Sequence, residues 1–219
     1  MVKIEISHEL SQLCPGTRLG LIQAEVKYQK NNQFLWNEIE KLAYHARFSL
    51  GMNQIAELPV ISHTREAYRA LGKEPARYRC SAEALLRRIV SGKELYRVNN
   101  IVDIINFISI SSQFSIGCYD CKQLVEPVIF DIGKTSETYE AIGRGLMNIE
   151  NLPVFRDKIG PFGSPTSDSK RSMITAKTES VLIAIIDFNG RDPLQEAMER
   201  TLLCLERYAG AKNINCCMI

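Results

Sequence analysis

Residues 99–120, NNIVDIINFISISSQFSIGCYD, contain the change from a helical to a strand pattern on which the fold depends. Apolar residues occupy nearly all sides of residues 99–109, and this predicts a helix that is mostly buried. Asn99, Asp103 and Asn106 follow one another at intervals of four and three residues, so they would share one narrow face of that helix. Buried amides and carboxylates are costly without partners, which either neighbouring protein groups or a ligand would supply.

Helical spacing is typical of the chain before this segment, and strand patterns are typical of the chain after it. The predicted helices are residues 33–57 as one helix or two, 63–71, 81–92 with Ser81 as N-cap, 99–109, and 192–209 with Asp192 as N-cap. The predicted strands are residues 2–6, 19–26, 116–120, 127–132, 139–142, 172–177 and 181–188, with a further strand at the end of the sequence. This order predicts an α+β fold with a mixed or antiparallel β core flanked by helices.

We expect residues 1–219 to form one domain, because the length of 219 residues and the even composition show no linker. Within it, residues 65–190 would be the core, 1–64 N-terminal strands and a helix, and 191–219 a C-terminal helix and strand. The hydrophobic fraction of 45% and the charged fraction of 24% are those of a globular protein, not of a disordered or collagen-like chain. No apolar run is long enough to span a bilayer.

Seven cysteines, an odd number scattered unevenly, favour reduced thiols over a disulfide framework. The first residues show no export signal, since charged and apolar residues alternate there. A cytoplasmic location is therefore predicted. Cys118 and Cys121 form a single Cys-x-x-Cys pair, and two neighbouring core thiols explain it better than a redox or metal site.

The positive charge of the chain is concentrated in residues 65–97. This stretch contains nine bases and four acids, a balance of +5, whereas the whole chain has 27 bases and 25 acids, a balance of +2. Such an excess can bind phosphates. The alternative is that these side chains are the solvated faces of surface helices.

A hydroxyl-rich loop, residues 162–171 (FGSPTSDSKR), combines four hydroxyls, a carboxylate and two bases. It can offer donors of several kinds to a polar or phosphorylated ligand, although an ordinary hydrophilic turn has the same composition. The chain has no phosphate-binding glycine loop, no dinucleotide fingerprint and no nucleophile elbow. The three histidines have no partners at metal-ligand spacing, so neither a metal nor another cofactor is predicted.

Four stretches together resemble the editing domain of the bacterial phenylalanyl-tRNA synthetase β subunit, which is formed from its fused third and fourth domains. They are Arg77-Tyr78-Arg79, residues 81–89 (SAEALLRRI), residues 99–106 (NNIVDIIN) and residues 116–120 (IGCYD). The hydroxyl-rich loop and residues 181–188 are similar to free-standing members of that family. The resemblance implies a cytoplasmic protein that recognises aminoacyl-tRNA, or a related aminoacyl compound, and edits mischarged tRNA in trans by ester hydrolysis.

The resemblance also implies roles for individual residues. Asp103 and Asn106 would be catalytic, binding the amino group of the substrate or positioning water. The substrate pocket would be lined by Asn100, Tyr119, Asp120, Gly163, Ser164, Thr166 and Ser167. The phosphates of the tRNA acceptor end would contact Arg77, Arg79, Arg87 and Arg88.

This sequence departs from the family at the pocket. Gly117 stands where the family has a histidine, Ile105 replaces a threonine, and the pocket glutamate has no counterpart in residues 181–188. These departures predict a differently lined pocket. They also leave open a non-catalytic module that binds tRNA, a free amino acid or a small metabolite.

Overall fold

The computed structural model describes residues 2–191 and 193–219. The α-helices in this part of the chain are α1 His8–Leu13, α2 Gln33–Ser49, α3 Pro59–Ala70, α4 Ser81–Val90, α5 Asn100–Ser112 and α6 Leu194–Ala209. The strands are β1 Ile4–Ile6, β2 Arg18–Glu25, β3 Ser115–Asp120, β4 Val128–Ile132, β5 Thr138–Ala141, β6 Gly145–Asn148, β7 Pro153–Arg156, β8 Pro161–Gly163, β9 Ser180–Asp187 and β10 Lys212–Met218. Short 3-10 helices occupy Gln54–Glu57, Cys121–Gln123 and Lys170–Ser172.

The first sheet has the strand order β10-β2-β9-β3 and is antiparallel throughout. Its strand β9 is apolar along almost its whole length because both of its faces are covered. Val181, Ile183 and Ile185 pack into the core beneath α5 and α6. Leu182 and Ala184 point the other way, into the core shared with the second sheet. A continuous apolar run therefore serves two cores at once.

The second sheet has the order β1-β4-β7-β8 and is mixed, since β1 runs parallel to β4 and the other pairs are antiparallel. Aromatic rings fill the space between it and the first sheet. Phe130 and Phe155 stack with ring centroids 4.3 Å apart, and Tyr119 meets Phe162 edge-on at 4.8 Å. The predicted α+β class with mixed and antiparallel sheets is thereby confirmed.

Helix α5 is the buried helix that the sequence predicts. The Asn99 side chain caps it by accepting a hydrogen bond from the Val102 amide at 2.9 Å, and it ends at Gln113 in a left-handed conformation. Its apolar side chains lie against β9 and α6 in the first core. Its buried polar side chains Asn100 and Asp103 bond to residues before α2, to α2 and to α6.

Several local predictions are wrong. Helix α3 starts at Pro59, four residues earlier than predicted, since proline fits the first helical turn. Ser81 is the first residue of α4, not its cap, and the capping position is Cys80 without a side-chain bond. Residues 172–177 form no strand. Ser172 ends a 3-10 helix. The residues after it lead into a turn in which the Thr175 amide donates to Thr178 Oγ1 at 2.9 Å.

Short elements were also missed, namely α1, β6, β7 and β8. The predicted cap at Asp192 lies outside the described residues.

Candidate nucleic-acid interface and the hydroxyl-rich loop

Four cationic side chains surround one open groove of about 350 Å³ on the surface of α4. We call it the basic groove, and it is lined by Arg79, Arg87, Arg88 and Lys93 together with small or apolar neighbours. No acidic side chain is among its lining residues. It thus collects three of the four predicted phosphate ligands. Arg77 is exposed outside the groove, with its guanidinium 5.6 Å from the Tyr78 ring.

A buried carboxylate, that of Glu83, fixes the side chain of Arg87 in this groove. Glu83 is fully buried and accepts from Arg65 Nη1 at 2.9 Å and from Arg87 Nε at 2.7 Å. Burial of such a charge is tolerated only when it is paired, and here two guanidiniums pair it. Arg87 is therefore a fixed wall of the groove, and part of its charge is already balanced.

The other cations differ in how freely they can meet a ligand. Arg88 is positioned by a 2.6 Å bond from its Nε to the Glu94 carbonyl, and its guanidinium lies 3.9 Å over the Tyr96 ring. Arg79 and Lys93 form no ion pair with any described residue. Lys93 is a groove residue that sequence reasoning counted among the bases of 65–97 without giving it a role. It lies beyond the end of α4 at Val90, so helical spacing from Arg88 does not place it.

The hydroxyl-rich loop is fastened to the start of α4. The Ser81 amide donates to the Pro165 carbonyl at 2.7 Å, and Thr166 Oγ1 donates to the Tyr78 carbonyl at 3.1 Å. Tyr68 adds a 2.9 Å bond between its hydroxyl and Thr166 Oγ1. The loop therefore lies beside the segment that carries Arg79.

Two of the three hydroxyls predicted to bind substrate, those of Ser164 and Thr166, are engaged within the protein. Ser164 Oγ donates to the Ser167 carbonyl and accepts from the Tyr139 hydroxyl, each at 3.0 Å. Thr166 is bonded as described above, and both Ser164 and Thr166 are buried. A ligand would have to break these bonds to reach the hydroxyls.

Tyr119 fills the space between the two sheets next to the loop. Its ring is fully buried and lies against Gly117 and Gly163, where a Cβ atom on either glycine would be 2.5 Å from a Tyr119 ring carbon. Gly117 also pairs directly with Ala184 of β9. Small residues at these three positions leave the room that the tyrosine ring takes. The differently lined pocket expected at Gly117 is, in this structure, occupied by Tyr119.

A buried carboxyl of Asp168 lies close to the Tyr119 hydroxyl. Neither Asp168 Oδ1 nor the Tyr119 hydroxyl has a hydrogen-bond partner of acceptable geometry among the described residues. The other oxygen, Oδ2, accepts from the Cys118 amide at 3.4 Å. Burial raises the pKa of Asp168 to about 7, against the opposing influence of the nearby Tyr119 hydroxyl and the Cys118 amide. Burial likewise raises the pKa of Tyr119 well above its ordinary value.

Asp168 belongs to the loop that the sequence singled out, but it had no assigned role. The composition of the loop is typical of a solvated turn, whereas the Asp168 carboxyl is buried because it packs against β3.

The polar residues of α5 bond to other elements. Asp103 is buried and accepts from the Trp36 indole at 2.7 Å and from the Val98 amide at 3.1 Å. Burial raises its pKa, against the opposing effect of those two donors. Asn100 accepts from the Gln29 amide at 2.7 Å and donates to the carbonyls of Lys27 and Tyr208, each at 2.9 Å.

The remaining predicted residues are placed separately. Asn106 is half-buried on α5, and its side chain makes no hydrogen bond to another described residue. Asp120 accepts from Thr178 Oγ1 at 2.7 Å and from the Lys122 amide at 2.9 Å. Tyr119, Gly163 and the loop hydroxyls are thus brought together, while Asn100, Asp103 and Asp120 are satisfied by other protein groups.

Within the described ranges, no group of three or more His, Cys, Asp and Glu side chains is arranged to hold a metal ion. Cys118 and Cys121 are free thiols, the first buried and the second half-buried. The helices of the described residues include none that is both long and apolar enough to cross a membrane.

The chain is similar to a known domain family and to a solved structure. Residues 63–208, about two thirds of the chain, match the family model of the B3/4 domain. No curated protein matches the sequence. Among solved structures, an N-terminal fragment of the phenylalanyl-tRNA synthetase β subunit from Pyrococcus horikoshii is 12% identical, with a TM-score of 0.46. The match covers 97% of this chain and 50% of that fragment, so the chain spans half of the fragment's length.

The family model includes α4, α5, the hydroxyl-rich loop and most of α6. The resemblance to the synthetase β subunit that the sequence predicted is confirmed. The chain belongs to the B3/4 domain family.

Proposed function

We propose that this protein binds RNA of the tRNA type and that the basic groove holds its phosphates. The observation that carries the proposal is the convergence of Arg79, Arg87, Arg88 and Lys93 on one open groove without an acidic lining residue. Phosphate contacts by lysine and arginine supply most of the sequence-independent affinity for nucleic acids. Membership of the B3/4 family, whose type member is part of a tRNA synthetase subunit, supports the choice of tRNA as the RNA.

The groove contains two cations that protein contacts hold in place and two that have no ion pair, and this combination suits phosphate binding. Arg87 and Arg88 are held by protein contacts, so they present their guanidiniums without further loss of side-chain entropy. Arg79 and Lys93 have no competing ion pair with described residues and can each neutralise a phosphate. The fastened loop keeps the start of α4, and with it Arg79, in a fixed position.

Our proposal is limited to binding, because the structure engages most of the groups that hydrolysis would use, although not Asn106. Asp103 accepts from the Trp36 indole, the hydroxyls of Ser164 and Thr166 are bonded to backbone carbonyls and tyrosine hydroxyls, and Tyr119 fills the space beside Gly117. Hydrolysis by Asp103 and Asn106, recognition of an aminoacyl group and a cytoplasmic location stay predictions from the sequence.

Fluorescence anisotropy with a labelled, uncharged tRNA tests the proposal. We expect the logarithm of the binding constant to fall linearly with the logarithm of salt concentration. Arg79→Ala and Lys93→Ala should each weaken binding about three- to tenfold and reduce the salt slope by about one. Lys134→Ala, an exposed lysine outside the groove, is the matched control. Absence of binding at low salt, or equal loss in the control, would overturn the proposal.

A second measurement separates binding from hydrolysis. Aminoacyl-tRNAs, correctly and incorrectly charged, would be incubated with the protein in excess and their deacylation followed in single turnover. The geometry leads us to expect binding without acceleration. Acceleration that disappears in Asn106→Ala would instead establish the catalytic role that the family resemblance implies.

A further inference from the structure

A second groove adjoins the basic groove on the other side of Lys93. This groove, of about 320 Å³, runs between α2 and residues 89–97. We call it the aromatic groove. Its lining includes Trp36, Ile39, Tyr44, Arg47, Lys93 and Arg97. Because Lys93 lines both grooves, the two form one continuous surface.

Large aromatic side chains are exposed along this surface. Tyr44 is 64% exposed and Phe48 is 73% exposed, and their ring centroids are 4.8 Å apart one helical turn from each other. Tyr96, 69% exposed, lies under the Arg88 guanidinium at 3.9 Å. Aromatic residues are normally buried, so three such rings near one path require an explanation.

Cations alternate with these rings. Arg97 lies 4.5 Å over the Trp36 ring and is held by Glu40 Oε1 at 2.8 Å. Arg47 is fixed by a 3.2 Å bond from its Nε to the Ile89 carbonyl. Together with Lys93, these arginines place three positive charges along the aromatic groove, against the two acids Glu40 and Glu94.

We propose that an unpaired RNA strand leaves the basic groove at Lys93 and continues along the aromatic groove, and that Tyr96, beside Arg88, and Tyr44, in the groove lining, stack on its bases. Positively charged surfaces interleaved with exposed aromatic rings are how proteins bind single strands without reading their sequence. An apolar protein segment would cover Arg47 and Lys93, which have no acidic partner among the described residues, whereas the strand's phosphates supply one. The inference rests on the proposed function and names the form of RNA that the protein prefers.

The test compares one labelled 12-nucleotide RNA as a single strand and annealed to its complement. A 2-aminopurine in the middle of the strand reports stacking by fluorescence quenching. We expect tighter binding of the single strand, with quenching of the 2-aminopurine. Tyr44→Ala and Tyr96→Ala should each weaken single-strand binding about five- to fiftyfold and relieve the quenching, because each removes a stacking platform.

Both tyrosines are exposed, so their replacement leaves the fold intact. Tyr44→Trp retains an aromatic face and should preserve affinity. Leu146→Ala removes an apolar side chain that is 76% exposed on the β5–β6 hairpin and lines neither groove, and it serves as the control.

The outcomes distinguish this inference from the function on which it rests. Equal affinity for the single strand and the duplex, or unchanged single-strand binding in Tyr44→Ala and Tyr96→Ala, would overturn the inference. The proposed function would then stand as long as Arg79→Ala still weakened tRNA binding. Loss of all RNA binding would refute both. A concentration-dependent dimer in sedimentation that Tyr44→Ala abolishes would assign the rings to a second copy of the chain and also overturn the inference.

Discussion

The basic groove and the hydroxyl-rich loop lie side by side at the start of α4, but their polar groups are in opposite states. In the groove, Arg79 and Lys93 have no ionic partner among the described residues. In the loop, Ser164 and Thr166 are buried and bonded to protein groups. The difference shows that residues suited to ligand binding are available for it only where the fold has not already used them.

The same contrast applies to open space. The basic groove is open to solvent, whereas the space beside Gly117 and Gly163 is filled by the chain's own Tyr119. The loop side therefore is a core with polar groups in it, whereas the groove is open to a ligand. Substitutions on the two sides should consequently change different properties of the protein.

The largest effect is expected from opening the filled side. Tyr119→Ala removes a fully buried ring between two sheets and should lower the free energy of unfolding by about 3–5 kcal/mol. Urea denaturation measures this. Tyr119→Phe is the matched control, since it removes only a hydroxyl without a partner and should cost less than about 1 kcal/mol. A small effect of Tyr119→Ala would mean that the ring does not hold the sheets together.

A smaller, coupled effect is expected at Gly163. The added methyl of Gly163→Ala would overlap the Tyr119 ring, so stability should fall by about 1–3 kcal/mol. In the Tyr119→Ala background the same methyl has room, and the cost should shrink or reverse. A double-mutant cycle measures this coupling. Strictly additive effects would show that the two residues do not share the space.

The smallest effect concerns the charge of Asp168. Its folded pKa of about 7 lies above the unfolded value of about 4, so the folded state binds the extra proton and stability falls as pH rises between these values. Asp168→Asn removes this dependence and should raise the free energy of unfolding at pH 8 by about 1–2 kcal/mol, with little gain at pH 4.

Asp157 provides the opposite case for the same measurement. Burial alone would raise the pKa of Asp157. Hydrogen bonds from Arg171 nevertheless hold this pKa below its ordinary value. Asp157→Asn should therefore destabilise the protein at pH 8. If Asp168→Asn also destabilised the protein at pH 8, that result would contradict the raised pKa of Asp168.

Long periodic elements could be predicted from the sequence, because their patterns are set by local packing. Helix α5 and strand β9 are examples, the first by its all-round apolar pattern and the second by its apolar run. The four-residue strand β6 and the three-residue strand β8 were missed, because strands this short contain too few residues for a clear alternation of apolar and polar side chains. Residues 172–177 have strand-like composition, but local hydrogen bonds of Thr175 and Thr178 make a turn there.

The site was predictable in part for a related reason. Clustered bases such as Arg79, Arg87 and Arg88 were found by counting charges, but their convergence on one groove depends on how the chain on either side of α4 is folded. The partners of buried polar groups depend on tertiary contacts that no local pattern contains. The bond between Asp103 and Trp36 joins positions 67 residues apart.

The most direct test of the account is to locate the RNA on the protein by ultraviolet crosslinking of a bound tRNA, followed by mass spectrometry of the crosslinked peptides. If tRNA binds in the basic groove, crosslinks will form on peptides from residues 77–97 and will be lost when Arg79 and Lys93 are both replaced by alanine. Crosslinks confined to peptides from other parts of the chain would contradict binding in this groove.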